Sequence, residues 1–167
     1  AAFVQDKKIG IGAIIKIIRS GEVIPYILDV TIPAIEGKMP DVPFKWTNTK
    51  TDILLKNPKN NEIVKEKNIV HFFTKLEVVG LGTGNVRRII TAGFDTVPKI
   101  IKMTKDDFLT VEGFKEKMAT KIFTDIKKKI KEASLARLMA ATNLMGRTLG
   151  ERRITMILSK YPNILTD

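Results

Sequence analysis

Glycines in the second half of the chain interrupt a helix-like pattern at points where a backbone could bind phosphate. One stretch reads Val79-Gly80-Leu81-Gly82-Thr83-Gly84 and leads into apolar residues at helical spacing. Glycine lets a backbone approach an anion closely, and the free N–H groups at the next helix start point toward that anion. Such a loop contacts sugar–phosphate backbone and does not read base edges. A single glycine at a helix boundary is also common without any ligand.

The same unit recurs twice in weaker form. Val111-Glu112-Gly113-Phe114 leads into Lys115-Glu116-Lys117, with a lysine where a second glycine would be expected. Gly146-Arg147-Thr148-Leu149-Gly150 leads into Glu151-Arg152-Arg153. Lysine and arginine add charge-assisted contacts to phosphate. Three units in one basic region favour a tandem array of helix-hairpin-helix motifs. The candidate phosphate-binding residues are Gly80, Gly82, Gly84, Lys115, Lys117, Arg147, Gly150 and Arg152.

The charge of the chain favours a polyanionic partner. Among 167 residues, 29 are Lys or Arg and 18 are Asp or Glu, giving a formal net charge of +11. Most of the excess lies in residues 61–167, and bound phosphates release counterions when these cations neutralise them. A basic surface with no specific partner is the alternative. We expect no membrane partner, because no run approaches the ~20 apolar residues of a membrane span.

Disulfides and cysteine-ligated metal centres are excluded, because the chain has no cysteine. The single histidine, His71, also excludes any site with two histidine ligands. His71 stands beside two phenylalanines, which favours a structural role. Asp106-Asp107 is typical of a helix N-terminus rather than of a metal site.

Hydrophobic patterning predicts an α+β chain in two regions. β-branched runs at 13–18 and 23–30 flank a tight turn, and a further short hairpin is expected over 44–55. A sheet this small is marginal alone, so it either packs on the second region or lacks the rest of its sheet. The second region is predicted to be all helical. Apolar residues recur at helical spacing over 63–73, 85–92, 115–131, 134–144 and 151–160, with shorter helices or turns over 94–101 and 104–109.

Several of these residues resemble one enzyme family, the NAD-dependent DNA ligases. Arg19-Ser20-Gly21-Glu22-Val23-Ile24-Pro25 is similar to the Arg-Ala-Gly-Asp-Val-Ile-Pro motif of that family's oligonucleotide-binding (OB) fold domain. Val70-His71-Phe72-Phe73 and the Gly80 loop resemble the family's entry into its helix-hairpin-helix domain. The stretch 135–141 resembles the helix before its third hairpin. The resemblance covers roughly residues 7–32 and 62–162.

The resemblance implies a partial OB-like β-sheet followed by a tandem helix-hairpin-helix domain. Residues 1–37 would be part of the OB-fold domain, 38–61 a connector, and 62–167 the DNA-binding domain. The family places a four-cysteine zinc module at the connector, and this connector has no cysteine, so we expect no zinc. Loss of that module suggests a divergent viral or phage version. The chain is then a fragment of a longer ligase or the second subunit of a split one.

The resemblance also implies that adenylation and DNA binding belong to different parts of the ligase. The Lys-x-Asp-Gly motif that supplies the adenylated lysine is absent from the 167 residues, so we expect this piece to be inactive alone and to bind no cofactor. An adenylation domain or subunit of the same ligase would use NAD. This chain would clamp nicked double-stranded DNA during replication and repair, with Arg19 near the reacting end.

Two other functions fit the same features. A non-catalytic protein with an OB fold and helix-hairpin-helix motifs could bind DNA junctions, and a basic scaffold would bind no nucleic acid. A DNA-binding role implies an intracellular location, in cytoplasm or nucleoid, or in the host cell for a viral or phage version.

Overall fold

Two small antiparallel hairpins are followed by a series of helices, which confirms the predicted α+β class. The computed structural model describes residues 1–21, 24–58, 61–146 and 148–164. The chain divides into two units, Ala1–Pro58 and Lys59–Asp167. Within the described residues, no helix is long and apolar enough to cross a bilayer.

The first unit contains both hairpins. A short helix, α1 (Ala2–Asp6), precedes strand β1 (Ile14–Ser20), which pairs antiparallel with β2 (Ile24–Ile32). Strands β3 (Phe44–Trp46) and β4 (Ile53–Leu55) form the second hairpin, also antiparallel. Both hairpins lie where the sequence predicts them, whereas α1 is not predicted because its five residues carry no capping side chain.

The β1–β2 hairpin leaves much of its apolar surface uncovered. Ile17 and Tyr26 are each more than half exposed, and Ile14, Leu28 and Ile32 are similarly open. Among the described residues, every buried hydrophobic side chain lies between Ile69 and Ile154, outside this unit. The hairpin is therefore held by its backbone ladder rather than by a core of its own.

The second unit is helical. Its elements are α2 (Glu62–Lys75), α3 (Thr83–Thr91), α4 (Val97–Lys102), α5 (Lys105–Leu109), α6 (Glu116–Glu132), α7 (Leu135–Ala141) and α8 (Glu151–Lys160). All seven occur where apolar spacing predicts them. Helix α7 ends before the predicted residue 144, because Asn143 adopts a left-handed conformation with φ of 56° that cannot continue a helix.

One hydrophobic core holds these helices. Phe73, Ile89, Phe108 and Ile122 are almost completely buried, and each lies on the apolar face of its helix. The rings of Phe108 and Phe114 stack with centroids 6.3 Å apart. This packing fixes the ends of the helices, and hence the loops between them.

Candidate nucleic-acid interface

Three loops of the helical unit turn through a left-handed glycine. Gly80 has φ of 94°, Gly113 of 77° and Gly146 of 79°. Other L-residues are strained in this region, so glycine is required for the turn. The three glycines also recur at equal intervals along the chain, a spacing from which the three turns could have been predicted. Each turn leads into a helix, respectively α3, α6 and α8.

Apolar side chains anchor the first two loops to the core. Val78 and Leu81 are buried around Gly80, and Val111 and Phe114 are buried around Gly113. Each glycine is itself exposed between its buried neighbours. The loops therefore present backbone to solvent from a fixed base, which suits a rigid ligand.

The helix that follows each loop lacks a capping side chain. Gly82, Lys115 and Gly150 are the N-cap residues of α3, α6 and α8, and in the described part of the chain no side chain accepts a hydrogen bond there. The other four helices of this unit are capped by a side-chain oxygen, from Asn61, Thr96, Thr104 and Ser134 respectively. The helices after the glycine loops therefore leave more first-turn amides to an outside anion than the capped helices, in which a side chain already accepts from one of them.

The predicted contact residues are accessible where the structure describes them. A Cβ added at Gly82, Gly84 or Gly150 would meet no atom within 4 Å, so a ligand could approach these backbones directly. Lys115, Lys117 and Arg152 are exposed. Among the described residues, none of these three cations has an acidic partner. Arg147 lies outside the described residues.

Arg19 belongs to the other unit. It is exposed near the end of β1, opposite Pro25 in the ladder. Glu22 and Val23, which complete the Arg-Ser-Gly-Glu-Val-Ile-Pro stretch, lie outside the described residues. The structure therefore groups seven of the nine predicted residues in the helical unit and places Arg19 on the hairpin.

Loop 1, the loop that carries Gly80, is held from two sides. The Val79 N–H donates to Asp125 Oδ2 at 2.7 Å, and Asn85 Nδ2 donates to the Gly80 carbonyl at 2.8 Å. A Cβ at Gly80 would lie 3.1 Å from Ile122 Cγ1, so α6 packs closely under this loop. Asp125 and Ile122 belong to the helix that follows the second loop, and sequence spacing gave no sign of this contact.

Loop 2, the loop that carries Gly113, is contacted in turn by α3. Arg88 Nη1 lies 3.0 Å from where a Cβ of Gly113 would stand. Loops 1 and 2 thus each pack against the helix that follows the other. Arg88 is exposed, has no ionic partner among the described residues, and lines a concave surface with Gly84, Thr110 and Glu112. It is a further cationic candidate that the sequence prediction missed.

Ion pairs fix the helices around these loops. Arg87 Nε and Nη2 donate to the two carboxylate oxygens of Glu66, at 2.9 and 3.1 Å. This pair ties α3 to α2 and raises the pKa of Arg87 above its usual value. Arg137 Nε donates to Glu151 at 3.3 Å, linking α7 to α8. Loop 3, the loop that carries Gly146, is braced by Arg153, whose Nη1 donates to the Thr148 carbonyl at 2.7 Å.

The amino-acid sequence is similar to parts of several DNA ligases. A DNA ligase of Acanthamoeba polyphaga mimivirus is 39% identical over all 167 residues of this chain, which span 26% of that ligase. This chain is homologous to DNA ligases. DNA ligases of Desulfatibacillum aliphaticivorans and Persephonella marina are 36% and 28% identical, over 67% and 78% of the chain and 18% and 20% of their own lengths. No protein-family model matches.

The homologous region is a minor part of each ligase. The chain spans about a quarter or less of the length of these relatives. The mimivirus match covers both units of the chain. The comparisons establish a ligase-related chain, and its own task within a ligase is a separate question.

Proposed function

We propose that the helical unit is the DNA-clamping part of a ligase and holds duplex DNA around a nick through its backbone phosphates. One observation carries this proposal. The helices after the three glycine loops are the ones without a capping side chain, while the four other helices of the unit have one. Their amides are therefore open to phosphate.

The chemistry is recognition by charge and shape. Phosphate oxygens would accept hydrogen bonds from the first-turn N–H groups of α3, α6 and α8, and exposed cations would neutralise the same phosphates. Lys115, Lys117 and Arg152 stand in the first turn or at the N-cap of α6 and α8. Because every base pair has the same backbone, binding would not depend on sequence.

The proposal gives the remaining chemistry to another part of the ligase. An adenylation domain or subunit with a Lys-x-Asp-Gly lysine would use NAD, while this chain would bind no cofactor and hold no zinc. NAD dependence rests on the resemblance of residues 19–25 to the motif in that ligase family. The same resemblance supports an OB-type origin for the β1–β2 hairpin, helix-hairpin-helix motifs in the helical unit, and an intracellular role in replication and repair. Arg19 would then contact DNA near the reacting end.

Substitution of Gly82 by valine tests the proposal at loop 1. Gly82 has φ of −76° and open space around its Cβ position, so valine fits the fold but covers the amides of α3. We expect affinity for a nicked or intact duplex to fall about tenfold or more, since charge-assisted hydrogen bonds contribute roughly 1.5–3 kcal/mol. Fluorescence anisotropy measures the affinity and circular dichroism the helical content, which should persist.

A matched control places the same side chain far from the loops. Ser159→Val, near the end of α8, should leave affinity unchanged. Equal affinities of Gly82→Val and the unsubstituted chain would mean that loop 1 is structural. Tighter binding of a four-way junction than of any duplex would instead assign the chain to the junction-binding proteins. Binding without salt dependence would leave only a scaffold role.

A further inference from the structure

Helix α6 carries a row of lysines on its solvent side. Ala119, Ile122 and Ile126 are buried and define its core face. Four exposed lysines recur at helical spacing on the opposite face, and we name them the lysine stripe: Lys117, Lys121, Lys128 and Lys131. From sequence, Lys117 is a candidate phosphate contact. Lys128 and Lys131 are expected on a solvated helix face that could touch DNA backbone at longer range, and Lys121 is not predicted.

The stripe lysines have no partners within the protein. Among the described residues, no carboxylate lies within ion-pair distance of any of the four, and none of their ammonium groups donates a hydrogen bond. Two other lysines of the same helix are engaged. Lys127 Nζ lies 5.4 Å from the centroid of the Phe123 ring, and Lys129 Nζ lies 3.5 Å from Glu77 Oε2. The stripe is thus the uncompensated part of the helix.

Helix electrostatics do not account for the stripe. Like charges three or four residues apart destabilise a helix. Cations near a helix C-terminus are favourable, which explains Lys131, but Lys117 and Lys121 lie in the first two turns, where the macrodipole disfavours them. Neither Lys117 nor Lys121 forms an ion pair in the described part of the chain.

The position of the stripe relates it to the loops. Lys117 lies in the first turn of α6, beside the N-cap Lys115 of loop 2. Lys121 immediately precedes Ile122, which packs against Gly80 of loop 1. From Lys117 to Lys131 the helix rises about 21 Å, which matches about six phosphate steps along one DNA strand.

We propose that the lysine stripe is a second phosphate-binding surface, which extends the contact of loops 1 and 2 along the same duplex by about six base pairs. The inference rests on the proposed function. The partner is sugar–phosphate backbone, recognised by charge alone, because ammonium groups on flexible stems read no base edges. Lys121 and Lys128 lie in the centre of the stripe, and Lys121 is the contact that the sequence does not predict.

A matched pair of double variants tests the stripe. Lys121→Gln with Lys128→Gln removes two stripe charges, and Lys127→Gln with Lys160→Gln removes two charges from lysines that lie over aromatic rings. Each phosphate contact contributes about 0.9 to the slope of log affinity against log salt. We expect the stripe variant to lose about 1.8 from the magnitude of the slope, and the control to stay within about 0.3 of the parent chain.

Duplex length provides a second readout. Shortening one end by about six base pairs should weaken binding of the parent chain by a larger factor than binding of the stripe variant, which keeps two of the four stripe lysines. If the two double variants change the salt slope equally, the effect comes from net charge and not from the position of the stripe, and the inference is wrong. If Gly82→Val weakens duplex binding but the stripe variant keeps the salt slope of the parent chain, the stripe inference is wrong and the proposed function stands. A parent chain that binds no duplex would overturn the stripe and the proposed function together.

Discussion

At the scale of single residues, loop 1 depends on a side chain that would itself repel phosphate. Asp125 accepts the Val79 N–H at 2.7 Å from a helix far away in sequence. That hydrogen bond holds the backbone beside Gly80 in one conformation. The carboxylate also places a negative charge near the proposed contact surface, so its net effect on DNA binding combines two opposing terms.

Two substitutions of Asp125 separate these terms. Asp125→Asn keeps an acceptor for the Val79 N–H and removes the charge, so its duplex affinity should equal or exceed that of the parent chain. Asp125→Ala removes both, leaving loop 1 unbraced, and should bind several-fold more weakly than Asp125→Asn. Anisotropy titrations at one salt concentration measure the difference. Equal affinities of the two variants would show that the hydrogen bond does not position the loop.

At the scale of elements, capping decides which helix ends are open. The start of helix α5 is closed to a ligand, because Thr104 and Asp107 form a capping box with reciprocal hydrogen bonds. The Thr104 N–H and hydroxyl both donate to the Asp107 carboxylate and lower its pKa below the usual value. A helix end satisfied in this way has fewer free amides for a ligand.

The capping box of α5 makes the stability of the folded chain depend on pH in the acidic range. The pKa of Asp107 is lower in the folded state than in the unfolded state. Its contribution to the free energy of unfolding is therefore fully present above the unfolded-state pKa of about 3.9, and it is lost as pH falls through the folded-state pKa. Asp107→Asn should therefore destabilise the chain at pH 7, and the difference from the parent should shrink below about pH 4. Chemical denaturation at both pH values measures it. A difference that does not change with pH would contradict a charged cap.

The elements themselves could be predicted from sequence, but their mutual contacts could not. Apolar residues at helical spacing located α2 to α8, and β-branched runs located both hairpins. Helix α7 ends early because of the φ of Asn143, which a residue type does not specify. The contacts of Asp125 with Val79 and of Arg88 with Gly113 depend on how α3 and α6 pack, so Arg88 was missed.

At the scale of the whole chain, the helical unit has a buried hydrophobic core, whereas the β1–β2 hairpin of the other unit leaves its apolar side chains exposed. The core of the helical unit fixes its loops, and seven of the nine predicted contact residues are described in this unit. The β1–β2 hairpin exposes apolar residues such as Ile17 and Tyr26, in keeping with the expectation that so small a sheet is marginal alone. The prediction of phosphate binding therefore concerns the helical unit first.

The most direct test of the central claim follows the backbone amides during titration with a short duplex. In two-dimensional nitrogen–proton NMR spectra, we predict large shifts for the first-turn amides of α3, α6 and α8, which no described side chain caps. The capped first turns of α2, α4, α5 and α7 should change little. Shifts confined to the capped helices, or an absence of shifts at all three glycine loops, would contradict the account.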